Sequence, residues 1–330
     1  MNEAAPIFGA EPLIAVLFAM LADAALSFAP VARRALDFPK ALFRNLAGWF
    51  DRRLNRVKRG RIALRVRGAL VALAVIAVAV LAACGLTVLS RYLGSAVVVD
   101  ATVLLFLLGM GRPIAGLIAV RRALSAGDDA RAAGRAETLV RFDVPNQDRH
   151  AIARAAIEGA SRHLVEGLFA ALFWFLLLGL PALLVYRAIG ASADAIGRAS
   201  RRHADFGFSV SRLDDILSLP GVLIAGPVLA LSALFCPGGT PIHGLGEWGR
   251  DLFRRGLSAG YRAEGGVTGA LGLSLGGPRL YDGEKVAGSW IGDGRAQAGI
   301  PDLQRASILL SAASLLVALA AGFALAASVS

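Results

Sequence analysis

Two long stretches without a charged residue constrain this chain most. Residues 68–90 and 306–330 contain no Asp, Glu, Lys or Arg, and each is long enough for the roughly 20 apolar residues that a helix needs to cross a bilayer. Of the 330 residues, 56% are hydrophobic and only 18% are charged. Because a soluble core cannot bury so much aliphatic surface, we exclude a disordered chain, a disulfide scaffold and an ordinary soluble enzyme. The sequence predicts an all-α, polytopic membrane helix bundle.

Four further segments are predicted to be membrane helices. The stronger two are Gly167–Tyr186, with a kink expected at Pro181, and Ile216–Cys236, which contains two prolines. The weaker two, Pro12–Pro30 and Ala96–Gly111, each contain one Asp. Since Pro12–Pro30 has neither a basic leader nor a small-residue cleavage site, we expect it to be a retained helix and not a signal peptide. The chain is therefore expected to cross the membrane four to six times.

The net charge of +11 is concentrated in one stretch, because residues 33–67 contain 12 Lys and Arg but only two acids. A basic block between apolar runs is typical of a cytoplasmic loop that faces anionic lipid headgroups, so the lipid bilayer is the expected partner. Nucleic acid is not expected, since no aromatic-interleaved or helix-turn-helix pattern accompanies the charge. If all six segments cross, residues 112–166 and 237–305 are cytoplasmic and residues 187–215 lie outside; otherwise a segment beside 187–215 is re-entrant.

The segments divide the chain into five regions. These are 1–111, with N-terminal membrane segments and the basic loop 33–67; 112–166, an extramembrane helical loop; 167–236, membrane segments with the loop 187–215; 237–305, a glycine-rich extramembrane loop; and 306–330, a C-terminal membrane helix.

The glycine-rich loop is the first group of residues that could carry chemistry, with ten glycines between Gly265 and Gly294. Glycines let backbone N–H groups approach an anion, and the acids among them could hold a cation that bridges phosphates. An ordinary turn-rich loop explains the same glycines. The phosphate-binding motif GxxxxGK[ST] is absent from the sequence, so a P-loop is excluded.

Two acidic groups flank predicted membrane helices. Asp214 and Asp215 directly precede Ile216, where adjacent carboxylates are costly unless they are paired or metal-bound, although acids also favour the first turn of any helix. Glu158 and Glu166 are expected to share one helix face, with Glu158 paired to the arginine at position 162. The spacing of the four histidines predicts no metal site.

The glycine-rich loop also carries a family resemblance. The string from Gly269 to Pro278, followed by Tyr281, Gly283-Glu284 and Trp290–Gly294, resembles the C-terminal signature of the CobD/CbiB cobalamin-biosynthesis membrane proteins. Further matches fall in the family's order at Arg154–Glu158, Ala171–Phe173, Tyr186–Ala188, Asp205–Gly207 and Arg212–Asp215. The resemblance covers about residues 110–310.

The resemblance implies an adenosylcobinamide-phosphate synthase of the inner (cytoplasmic) membrane. Such an enzyme joins adenosylcobyric acid, a corrinoid, to aminopropanol phosphate or a related amino alcohol phosphate as an amide, with ATP and Mg²⁺, and other membrane proteins of the pathway are implied partners. The implied catalytic residues are Glu158, Glu166, Arg212, Asp214 and Asp215. The implied cofactor-binding residues are Gly276, Gly277, Glu284, Gly292, Asp293 and Gly294, and the implied metal ligands are Asp214, Asp215 and Asp293.

Several polar motifs of the family are altered here. The family's Glu-Asn-x-x-Asp-Gly reads Arg162-His163-Leu164-Val165-Glu166-Gly167, and its Asn-Thr-x-Asp-Ser reads Gly190 to Asp194. The family's His-Pro reads Phe38-Pro39. A non-catalytic membrane relative with a sensory, binding or assembly role is therefore the alternative. A transporter is not favoured, because only Asp23 and Asp100 place a charge inside a predicted span.

Overall fold

The computed structural model describes residues 10–27, 29, 36–56, 60–145, 148–197, 202–253, 262–281 and 283–329. Four basic residues of the 33–67 loop (Arg33, Arg34, Lys58 and Arg59) lie outside the described residues, as does Pro30. The helices are α1 (Ala10–Leu26), α2 (Phe38–Leu54), α3 (Arg61–Leu93), α4 (Ala96–Leu107), α5 (Gly111–Ser125), α6 (Asp129–Glu137), α7 (Arg149–Leu164), α8 (Ala170–Ile196), α9 (Phe208–Ser232), α10 (Pro241–Leu252), α11 (Glu264–Leu271) and α12 (Ile300–Val329). A π-helical stretch, Val165–Phe169, joins α7 to α8, and a 3₁₀ turn, Ala233–Phe235, follows α9. This architecture confirms the all-α class.

Four short strands lie in the glycine-rich region. β1 (Leu275–Gly276) pairs antiparallel with β4 (Trp290–Ile291), and β2 (Arg279–Tyr281) pairs antiparallel with β3 (Glu284–Val286). Gly283, at φ +79°, makes the β2–β3 turn, a backbone conformation that glycine adopts without strain. The two strand pairs form a small cap that contacts α7.

Five helical stretches are long and apolar enough to cross a membrane, judged by length and composition. They are Arg61–Leu93, Ala96–Ser125, Arg149–Ile196, Phe208–Phe235 and Ile300–Val329. The first and last contain the two charge-free stretches, and their outer faces expose apolar side chains such as Leu73, Leu81 and Leu319, as expected of surfaces that face lipid. The N-terminal α1, with 17 residues, is not among the five.

The apolar segment 167–186 folds back on itself. Gly179 has φ +73° and ψ −161°, outside the helical region, two residues before Pro181. This confirms the kink. The hydroxyl of Tyr186 donates to the carbonyl oxygen of Glu166 at 3.0 Å, whereas these two residues would lie about 30 Å apart along a straight helix. Gly167–Tyr186 is therefore a helical hairpin and not one straight helix, and we interpret it as the re-entrant segment that the sequence left open.

Three polar segments of the chain meet as a result. Arg141, which precedes α7, lies with its Nη1 3.5 Å from Asp214 Oδ2 and also pairs with Asp194. Gly276 of the glycine-rich region donates its N–H to Glu158 in α7 at 3.2 Å. Residues 187–215 and the glycine-rich region therefore lie on the same side as residues 112–166, which agrees with the re-entrant alternative. The hairpin explains why, since it returns the chain to the side that it left. The same contacts imply that Ile216–Cys236 also begins and ends on this side.

The buried Asp23 has a structural partner. Its Oδ2 accepts the backbone N–H groups of Met110 and Gly111 at 3.0 and 2.8 Å, where α5 begins. A carboxylate at a helix N-terminus satisfies donors that the helix itself cannot. Asp23 therefore stabilises the α4–α5 break, which weakens the transporter alternative further.

Candidate active site

The last two turns of α7 and the π-helical stretch present three charged residues on one face. Glu158, Arg162 and Glu166 lie at helical spacing, and Arg162 Nε contacts Glu166 Oε1 at 2.7 Å. Glu158 instead binds Arg279 of β2, with Nη2 to Oε1 at 2.6 Å. Along the helix, Arg162 pairs with Glu166, one turn later than the expected pair of Glu158 and Arg162. The glycine-rich region supplies the cation for Glu158.

Three carboxylates converge on two guanidinium groups beside this face. Asp194, near the end of α8, pairs with Arg141, and Arg162 Nη2 lies 3.9 Å from it. Glu166 lies 4.0 Å from Arg141 Nη2, and Asp214 of α9 lies 3.5 Å from Arg141 Nη1. We call these five residues the carboxylate cluster. It carries one more negative than positive charge, and it joins residues from four separate parts of the chain.

Asp214 differs from the other two acids of the carboxylate cluster. It is buried, and while Oδ2 faces Arg141, Oδ1 has no hydrogen-bond partner among the described residues. Gly190 of α8 lies close to it, since a Cβ at that position would be 3.4 Å from Oδ1. An unsatisfied carboxylate oxygen in a buried site is costly. A buried carboxylate oxygen without a partner is suited to accept a proton or a hydrogen bond from a substrate.

Arg212 and Asp215, which are close to Asp214 in sequence, lie on a different face of α9. Asp215 is half-buried and lies 3.9 Å from Arg212, whose exposed guanidinium stacks on Phe208. Successive helical residues are rotated by about 100°, so adjacent carboxylates face different surroundings. The structure thus brings Asp214 and Glu166 together and leaves Arg212 and Asp215 on a neighbouring face of α9.

The N–H groups of the predicted phosphate cradle are already used. Gly276 donates to Glu158 Oε2, and Gly277 donates to the carbonyl oxygen of Ser289 at 3.1 Å. Both glycines have positive φ angles, +78° and +82°. Because both N–H groups already donate to protein oxygens, they are not free to bind a phosphate in this structure. Glu158, with both oxygens engaged, fixes the glycine-rich region onto α7.

The glycine-containing turn after β4 is set by close packing. A Cβ on Gly292 would lie 2.5 Å from Thr268, and one on Gly294 would lie 2.3 Å from the backbone of residue 272. Asp293 is exposed and pairs with Arg250, and its N–H donates to Glu247. Glu284 is exposed on β3. The described contacts therefore give these residues a structural part, and their cofactor role stays a prediction.

The donor set does not fit a protein-held metal ion. Among the residues that the structure describes, no three His, Cys, Asp or Glu side chains are grouped to hold a metal. Asp214 faces Arg141, and Asp293 pairs with Arg250. Mg²⁺ requires near-octahedral oxygen ligation and is often held by one or two carboxylates together with substrate phosphates. We derive no step through a metal ion from these residues.

Glu264 is a buried acid that the sequence did not single out. It is 1% exposed, and neither carboxyl oxygen has a hydrogen-bond partner among the described residues. Burial, and then the nearby Glu158 carboxylate, raise the pKa of Glu264 well above its usual range. The protonated form is therefore favoured in the folded protein.

A pH-dependent stability follows from Glu264. Because its folded-state pKa is raised, its favourable contribution is fully present below about pH 4.5 and is lost as the pH rises through the raised pKa. The Glu264→Gln variant should therefore unfold at a higher temperature than the native protein at pH 8, with a smaller difference at pH 5. Thermal unfolding in detergent at both pH values measures this. Equal differences at the two pH values would contradict it.

Comparisons with known proteins show the family of this chain. A family profile described as "CobD/Cbib protein" matches residues 16–310. The chain belongs to the CobD/CbiB family. It is 31% identical over 315 residues to "Cobalamin biosynthesis protein CobD" of Rhizobium meliloti (strain 1021), covering 92% of this chain and 94% of that protein. The protein of the same name from Brucella suis biovar 1 is 28% identical over 303 residues, covering 90% and 92%. No solved structure is significantly similar to this chain.

The CobD/CbiB resemblance and the geometry meet at the carboxylate cluster. Glu166 and Asp194 are the acids that remain in two altered family motifs, and the structure places both on Arg141 and Arg162. Arg141 was missed by sequence reasoning because nothing in its local pattern separates it from the other arginines of 112–166. Only the return of α8 and α9 to this side shows that Arg141 joins the three acids.

Proposed function

We propose that this protein acts in cobalamin biosynthesis, as a synthase that joins the carboxylate of adenosylcobyric acid to the amine of an amino alcohol phosphate. The observation that carries the proposal is the carboxylate cluster, with its buried and unpartnered Asp214 oxygen. The family match and the names of the relatives supply the pathway. The amide ligation itself is our proposal.

The reaction needs activation and a base. A carboxylate does not condense with an amine at neutral pH, and ATP supplies the phosphoryl group that turns a carboxylate oxygen into a leaving group. The amine nitrogen then forms the bond to the carbonyl carbon, inorganic phosphate leaves, and the nitrogen gives up a proton. Asp214 Oδ1 is suited to take that proton, because Arg141 holds Oδ2 and Oδ1 has no hydrogen-bond partner among the described residues.

The other members of the carboxylate cluster position this base. Arg141 contacts all three acids, and Arg162 fixes Glu166 from the preceding helical turn. Two guanidinium groups in a partly buried site also favour the negative charge that develops on phosphoryl and carbonyl oxygens. Glu158 acts at a distance by binding the glycine-rich region. Mg²⁺ enters the proposal only as the ion that a nucleotide carries.

The non-catalytic alternative makes a different use of the same fold. A sensory or assembly protein has no need of a buried carboxylate oxygen without a hydrogen-bond partner, which costs stability. The unpartnered Oδ1 of Asp214 therefore favours catalysis.

Complementation tests the proposal. The chain is expressed in a bacterium that lacks its own synthase and is supplied with adenosylcobyric acid. We expect cobalamin-dependent growth, and growth should be lost with Asp214→Asn. Absence of growth, with the native protein confirmed in the membrane, would contradict the synthase function and support the non-catalytic alternative.

A further inference from the structure

Three cationic side chains from three helices meet beside the carboxylate cluster. They are Lys40 of α2, Arg112 of α5 and Arg187 of α8, and we call them the three-cation site. Gly109 forms its floor, because a Cβ there would lie 3.3 Å from Lys40 Nζ and 3.9 Å from Arg187 Nη2. The missing side chain leaves the two cationic groups close to the backbone.

The three-cation site has unused hydrogen-bond donors. Arg187 is 9% exposed, and it uses Nη1 to contact the carbonyl oxygen of Glu166 at 3.1 Å, while its buried Nε has no partner among the described residues. Arg112 binds Asp37 and the carbonyl oxygen of Leu36 through its terminal nitrogens, and its buried Nε is also unpartnered there. Lys40 has no hydrogen bond or ion pair in the described part of the chain.

The charges of the three-cation site are not balanced by its own ion pairs. Among the described residues, Asp37 is the acid that forms an ion pair with a member, through Arg112, and Lys40 and Arg187 have no ion pair there. Burial, and then the guanidiniums of Arg187 and Arg112, hold the pKa of Lys40 well below its usual range. Cations brought together in this way repel one another unless an anion binds between them.

We propose that the three-cation site binds a dianionic phosphate group. A phosphate monoester carries close to two negative charges at neutral pH, and binding such an anion favours the protonated form of Lys40. The Nε and Nη2 edge of Arg187 suits bidentate contact with two phosphate oxygens, and Lys40 supplies a point charge. Arg187 also contacts the backbone of Glu166, so the phosphate lies beside the carboxylate cluster. The identity of the phosphate ester, a nucleoside triphosphate or an amino alcohol phosphate, rests on the proposed function.

Binding without turnover tests this proposal. Purified protein in phospholipid-free detergent is titrated calorimetrically with pyrophosphate, aminopropanol phosphate and a non-hydrolysable ATP analogue. Lys40→Gln and Arg187→Gln should each weaken binding of at least one of these ligands tenfold or more. Lys40→Arg, which keeps the charge, should restore most of the affinity. Arg44→Gln is the matched control, one turn further along α2, and should bind as the native protein does.

The outcomes separate the two possible phosphate esters. Loss of the ATP analogue alone identifies a nucleotide site, and loss of aminopropanol phosphate alone identifies the amino alcohol phosphate site. Unchanged binding of all three ligands in folded Lys40→Gln and Arg187→Gln proteins would overturn the proposal. If the native protein forms product while both variants still bind, the three-cation site is wrong and the proposed function stands. If binding is lost in the variants but the native protein never forms product, the three-cation site is supported and the proposed function is wrong.

Discussion

Replacing Asp214 by Asn is expected to lower amide formation by about 10²- to 10⁴-fold, the range typical of a lost general base. Asn has the same shape as Asp but cannot accept the proton that leaves the attacking nitrogen. The variant should still fold, because the carboxylate cluster then has two acids, Glu166 and Asp194, for its two guanidinium groups. Binding of the substrates should change much less than turnover.

The measurement is product formation by equal amounts of folded protein in membrane vesicles. Asp129→Asn is the control, since this α6 acid pairs with Arg149 outside the carboxylate cluster. The control should keep its activity. An Asp214→Asn protein with native turnover would contradict the assignment of the base and move attention to the other acids of the carboxylate cluster.

Cysteine labelling should place all three polar segments on one side of the membrane. In a chain with its two native cysteines replaced by Ala, new cysteines at Arg131, Arg212 and Lys285 probe residues 112–166, 187–215 and 237–305 in turn. An impermeant thiol reagent should label all three in vesicles of the same orientation. The reason is that these segments contact one another through Arg141 and Glu158.

Tyr92, at the far end of α3, provides the opposite control. Arg61 and Arg65, in the first turns of α3, contact Asp205 on the site's side, and the 33 residues of α3 span about 50 Å. Tyr92→Cys should therefore label only from the other side. If the cysteine at position 212 labels together with that at position 92, the re-entrant hairpin is wrong and Gly167–Tyr186 crosses the membrane.

The sequence predicted the helices better than their connections. Uncharged length alone predicts α3 and α12, and Pro181 marks the kink. The return of the chain after Gly179 could not be predicted, because it depends on one positive φ angle and on contacts of Tyr186 and Arg187 with Glu166. A kinked crossing and a hairpin have the same hydropathy pattern.

The site was predicted in part. The acids Glu166 and Asp214 were found from their position beside apolar segments, but the sequence could not separate Asp214 from Asp215, since only packing decides which faces Arg141. The glycines at 292 and 294 carry the resemblance, and the structure explains them by close backbone approach. Nothing in the sequence separates Lys40 or Arg141 from the other basic residues around them. Only tertiary contacts bring these two side chains to the site.

Product formation by the purified protein tests the central claim most directly. Protein in lipid nanodiscs is mixed with adenosylcobyric acid, aminopropanol phosphate, ATP and Mg²⁺, and the corrinoid is analysed by mass spectrometry while ADP is quantified. We predict adenosylcobinamide phosphate and ADP in equal amounts. Neither product should form when adenosylcobyric acid or aminopropanol phosphate is omitted. A folded native protein that binds the corrinoid but forms neither product would contradict the synthase account.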